Sequence, residues 1–203
     1  YKRQILARTG NDELIFGSVQ SVGAAGGVVG GILMSVWGGP KRLIHGVLLG
    51  WVAASLLGQT LLGLGHGPII WSVAVFFASL FVPIINGSNQ AIWQAKVAPD
   101  VQGRVFSVRR LIAWVTSPLS RLVAGPLADV VFEPAMMSGG ALADTFGPLV
   151  GTGPGAGMSL ILVFTGLLCA IVALASYLVP IVRDAEDLLP DHIAAETPQP
   201  AAV

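Results

Sequence analysis

Residues 43–95 read LIHGVLLGWVAASLLGQTLLGLGHGPIIWSVAVFFASLFVPIINGSNQAIWQA, more than fifty positions without one Asp, Glu, Lys or Arg. About 20 helical residues cross a hydrocarbon core of roughly 30 Å, so this stretch is long enough for two crossings. Gly65-His66-Gly67-Pro68 divides it near the middle, where Gly and Pro end one helix and start the next. Strands of a membrane barrel would alternate apolar and polar over about 10 residues. This stretch does not alternate, and backbone groups in lipid must be satisfied internally, so it reads as a pair of helices.

The same pattern extends outward. Leu14 to Pro40 and Thr145 to Val182 are also free of charge. Five spans follow: about Leu14 to Trp37, Leu43 to Leu64, Pro68 to Val97, Arg104 to Phe132, and Gly157 to Val182. The expected fold class is all-α, a polytopic membrane helix bundle. Tyr1 to Glu13 reads as an external arm following a helix that is missing from this chain. Residues 14–183 form the membrane region. Residues 184–203, acidic and then rich in Ala and Pro, read as a disordered cytoplasmic tail.

Of the 203 residues, 54% are hydrophobic and 11% charged, against roughly a quarter charged in soluble domains. Eleven acids balance eleven bases, which leaves no basic field for nucleic acid. Lys41, Arg42, Lys96, Arg104, Arg109, Arg110 and Arg183 all fall on one side if the spans alternate. That side is then cytoplasmic. Lys2, Arg3 and Arg8 on the outer arm run against this rule. The lone Cys169 sits in an apolar run and reads as a small buried side chain.

Candidate functional residues are few. In the third span Asn86, Gln90 and Trp93 share a stripe, with Ser88, Asn89 and Gln94 beside them. Buried amides need partners, so they either line a cavity that hydrogen-bonds a substrate or join helices together. Arg121 lies deep in the fourth span. It could meet an anionic substrate, pair with Asp129, or snorkel to the interface. Gly23, Gly27 and Gly31 repeat every fourth residue, with Gly26 and Gly30 offset by one. Such spacing brings a second backbone close, as ordinary packing or as a contact that moves during transport. His45 and His66, near the ends of the second span, read as interfacial residues rather than proton relays. The sequence carries no Cys/His metal spacing, phosphate loop or nucleophile–base set, so neither an enzyme nor a bound cofactor is expected.

At the loops a resemblance enters. Trp37-Gly38-Gly39-Pro40-Lys41-Arg42 resembles the loop between helices eight and nine of major facilitator transporters. Gln102-Gly103-Arg104-Val105-Phe106-Ser107 is similar to the loop between helices ten and eleven in the branch containing macrolide and siderophore exporters. Ala124-Gly125-Pro126-Leu127-Ala128-Asp129 resembles that branch's helix eleven, and Asn86-Gly87 adds to the likeness. The resemblance covers about Leu14 to Asp187. It implies helices eight to twelve of a two-halved transporter, with the amino-terminal half as the missing partner. Gly38 and Gly39 would form a tight turn, Lys41 and Arg42 its basic end, and Gly103 and Arg104 part of a second gating loop. The signature's acidic residue is absent. The implied activity is secondary, proton-coupled export of small amphipathic molecules by alternating access in a bacterial inner membrane, with the C-terminus cytoplasmic. A nutrient importer of the same fold and a non-transporting membrane scaffold remain as alternatives.

Overall fold

The computed structural model describes residues 1–188, apart from the side chain of Arg121. Among the described residues, five helices are long and apolar enough to cross a membrane: α2 (Glu13–Trp37), α3 (Leu43–Leu64), α4 (Pro68–Lys96), α5 (Pro99–Met136) and α7 (Ala156–Leu178). Shorter helices accompany them: α1 (Lys2–Arg8) before α2, α6 (Ala143–Val150) between α5 and α7, and single turns α8 (Pro180–Arg183) and α9 (Ala185–Leu188).

Local chemistry sets the ends. Asp12 caps α2, its carboxylate accepting from Leu14 N–H at 2.9 Å and Ile15 N–H at 3.1 Å. Gly38 ends that helix in the left-handed conformation, φ 76°, and donates to the Met34 carbonyl at 2.9 Å. Gly39 follows it with a left-handed φ of 88°. Pro68 and Pro99 open α4 and α5, where a missing N–H costs nothing. Glu133, at the far end of α5, accepts from the backbone N–H of Gly157 at 3.1 Å and from that of Gly155, tying down the start of α7.

The hub is α4. On one side α2 lies against it through Val19, Gly23, Gly26 and Gly30, all buried. A Cβ on Gly26 would stand 2.3 Å from the Phe76 carbonyl oxygen, and one on Gly30 2.1 Å from that of Leu80. The two backbones touch at these points. Gly27 and Gly31, assigned to packing from their spacing, have nothing within 4 Å of such a Cβ. Of the repeat read from sequence, only Gly23 meets α4, against Val75. Two overlapping glycine stripes run along α2, one residue apart, and spacing alone could not say which one faced a helix.

On its other side α4 supports α3, with Gly50 against Ile85 and Gly58 against Ala78. The opposite face of α3 meets α7, where Gly166 lies against Thr60 and Ser55. By contrast, α5 is packed only toward its ends. Its middle presents Trp114, Leu119 and Leu122 at 69%, 59% and 71% exposure.

Several boundaries differ from the sequence reading. Pro99 starts α5 five residues early, so Gly103 and Arg104 stand on a helix rather than in a loop. Pro180 stops α7 at Leu178, because a residue before proline is pushed toward extended backbone, and Val179 sits at φ −95° and ψ 105°. Tyr1 to Glu13 is not a free arm. Its helix α1 buries Ile5 and Gln4 at one end of the bundle, with Gln4 donating to the Leu62 carbonyl at 3.0 Å and to Ser159 Oγ at 2.8 Å. The loop before α7 is also folded: Met136 and Val150 are fully buried beside Leu160. Cys169 is exposed, since Gly166, Ala170 and Ala173 occupy the inward face of α7. The acidic stretch assigned to a tail begins as ordered chain. Asp187 pairs with Arg42 at 3.1 Å, and the Glu186 carboxylate accepts the Ile44 N–H near the start of α3. The remainder of that tail, from 189 onward, lies outside the described residues.

Candidate functional site, a groove between two helices

Both α2 and α3 rest on α4, and between them a groove of about 870 Å³ opens along the bundle. Its floor is α4, from Val75 through Ser79, Pro83 and Asn86. One wall is α2, with Gln20, Gly23, Ala24 and Gly27, and the other is α3, with Trp51, Ser55, Gly58 and Gln59. Among the described residues, no Asp, Glu, Lys, Arg or His lines it.

Three features of the chain make this groove polar in places. First, α3 departs from α-geometry over Ala54–Thr60, where a π-helical segment widens the turn and places Ser55 and Gln59 on the wall. Such segments concentrate at functional sites. Gln59 also donates to Thr165 Oγ at 2.8 Å, which fixes its carboxamide against α7. Second, Pro83 inside α4 has no N–H for the carbonyl of Ser79 one turn earlier, leaving an acceptor on the floor. Third, Asn86 is exposed and makes no side-chain hydrogen bond among the described residues. At the groove's end, Tyr1 Oη donates to Gln20 Oε1.

The sequence candidates divide accordingly. Asn86 lines the groove, and so do Gly23 and Gly27 of the glycine repeat. Asn89, Gln90 and Trp93 are not among its walls. Trp93 instead lies beneath Arg109, whose guanidinium carbon is 4.2 Å from the ring centroid. A register that places Asn86 over the groove carries the later residues of α4 around and beyond it. Arg121 is on α5, and its side chain is outside what the structure describes. Asp129, considered as its partner, pairs with Arg3 at 3.0 Å. Gln20, Trp51 and Gln59 escape sequence reasoning because they come from different helices and only the fold brings them to one groove.

Two curated proteins are similar to this chain. The macrolide efflux protein A of Streptococcus pyogenes is 29% identical to it over 110 residues, 52% of this chain and 26% of that protein. Its counterpart in serotype M6 of the same species gives the same figures. The likeness is distant and partial. The matched region spans about a quarter of the length of these relatives. No family model matches the chain, and no solved structure matches it significantly.

The bases outside the spans have local work. Lys41 and Arg42 follow the Gly38-Gly39 turn, and both are exposed. Arg42 meets Asp184 at 4.0 Å and Asp187 at 3.1 Å. Arg8, at the opposite end, donates to the carbonyls of Gly65, at 3.3 Å, and Val150. Burial lowers the pKa of its guanidinium, and the nearby Glu133 carboxylate works against that shift. Arg3 and Arg8 on the arm, contrary to the charge rule, are thus engaged with Asp129 and with carbonyls at the ends of helices.

Proposed function

We propose that this chain is part of a secondary transporter that exports small, neutral, amphipathic molecules, and that the groove between α2 and α3 receives them. The observation that carries the reading is the groove's character: roomy, mainly apolar, without charged side chains among the described residues, and with carboxamides and hydroxyls at intervals. Such a surface favours a molecule with apolar body and scattered hydrogen-bonding groups, and it penalises an ion. The distant likeness to macrolide efflux proteins favours export over import.

In this reading α2, α3, α4, α5 and α7 are helices eight to twelve of a major facilitator fold, completed by an amino-terminal half. Alternating access would rock the halves about the groove, driven by a proton gradient. The end of the bundle that carries Arg42, Lys96 and Arg183 faces the cytoplasm of a bacterial cell.

The test is efflux of a neutral macrolide by the complete protein in energised inside-out vesicles. Accumulation should be lost on adding a protonophore. Accumulation that resists the protonophore, or none at all, contradicts the reading. In those vesicles an impermeant maleimide should label a cysteine placed at Gly103 and spare one placed at Gly139; the reverse pattern inverts the orientation.

A further inference from the structure

The middle of α5 is the least covered part of the bundle, and its first third holds three arginines. Arg109 stacks on Trp93 at 4.2 Å and lies 5.8 Å from the Phe106 ring; Arg110 lies 5.7 Å from the Trp114 ring. Arg104 is exposed one turn and a half earlier. Several bases outside the spans meet an anion or a carbonyl: Arg42 with Asp187, Arg3 with Asp129 and Arg8 with Gly65. Among the described residues, no carboxylate lies within 4.0 Å of Arg104, Arg109 or Arg110.

The level of these arginines in the membrane follows from helix length. With 38 residues, α5 rises about 57 Å, far more than a core of roughly 30 Å requires. Leu111 to Ala128, between Arg110 and the Arg3–Asp129 pair, rises about 27 Å and carries only Arg121 as a charge. That stretch fits the hydrocarbon. Arg109 and Arg110 then stand at its boundary, with Trp114 one turn inside, the arrangement of an interfacial belt. Immediately below them Leu111, Ile112 and Val115 are exposed at 63%, 62% and 61%.

We propose that this face of α5 binds an anionic phospholipid of the adjoining leaflet. The headgroup phosphate would meet Arg109 and Arg110, held in place by the aromatic rings beneath them, and the acyl chains would lie along Leu111 to Val115. Guanidinium suits this role, since it offers a planar fork to phosphate while its face stacks on an indole. Charge complementarity favours a lipid over a neutral protein surface, because a covering protein would have to bring its own acids. The inference is independent of transport and stands or falls without it.

The experiment uses the complete protein reconstituted in phosphatidylcholine with traces of spin-labelled phosphatidylglycerol or spin-labelled phosphatidylcholine. Electron paramagnetic resonance reads the motionally restricted fraction of each lipid. The parent should prefer phosphatidylglycerol by about threefold or more, consistent with two bases at the surface. Arg109→Gln together with Arg110→Gln should reduce the preference to near unity, whereas Arg109→Lys with Arg110→Lys should keep most of it. A parent with equal affinity for the two lipids overturns the proposal, and indicates that polypeptide covers this face. A glutamine pair that retains the parent's preference overturns it as well.

Discussion

Replacing Gly30 by valine is expected to prevent α2 from seating on α4. A Cβ there would stand 2.1 Å from the Leu80 carbonyl oxygen, and backbone cannot swing aside as a side chain does. The helices would have to separate along their length, giving up the contacts of Val19 and Gly23 with α4 as well. Overpacking in a tight interface costs about 1–3 kcal/mol and occasionally more, and an obstruction by backbone belongs at the top of that range. Gly26→Val should behave alike, since its Cβ would meet the Phe76 carbonyl at 2.3 Å. Gly27→Val, one residue along, should fold normally, because nothing lies within 4 Å of it. Folded yield and thermal unfolding in detergent distinguish the three. Equal loss at Gly27 and Gly30 would mean that α2 packs in a different register.

This contrast marks how far the sequence was legible. Three long charge-free stretches, and a fourth apolar one that carries Arg121, identify membrane helices without further information, because lipid tolerates little else. Helix ends at Gly38 and Pro68 follow from capping and proline chemistry acting within one turn. Which face of a helix turns inward is a different matter. In water the apolar face is buried; in lipid both faces are apolar, so the stripe at Gly23, Gly26 and Gly30 could not be told from one at Gly23, Gly27 and Gly31. The groove was hidden for the same reason. Its polar residues come one or two at a time from three helices, while the conspicuous cluster on α4 runs off around the helix, and Trp93 ends beneath Arg109. Likewise Glu186 and Asp187, acidic and near the chain's end, read as solvated until their partners Ile44 and Arg42 are seen.

The second large effect belongs to the groove itself. Asn86→Ala should weaken the apparent affinity for a neutral macrolide by about 5- to 150-fold, the equivalent of about 1–3 kcal/mol for a hydrogen bond left unmade. Asn86 has no side-chain partner among the described residues, so its removal should cost little stability. Gln59 differs, because it also donates to Thr165 at 2.8 Å. Gln59→Ala should therefore lower both affinity and thermal stability, while Asn86→Ala lowers affinity alone. Gln90→Ala, outside the groove, should leave transport close to that of the parent. Concentration dependence of efflux at matched protein levels checks all three. A Gln90 variant impaired as much as the Asn86 variant would place the binding surface farther along α4.

Substrate protection tests the central claim most directly. With Cys169 changed to serine, single cysteines are introduced at Gly27 and Ala54, which face each other across the groove, and at Gly103 on exposed α5. The rate of maleimide labelling of the complete protein is then measured with and without saturating macrolide. The groove as binding site predicts that substrate slows labelling at Gly27→Cys and Ala54→Cys several-fold and leaves Gly103→Cys unchanged. Undiminished labelling at both groove positions, in a protein that still transports, would contradict it.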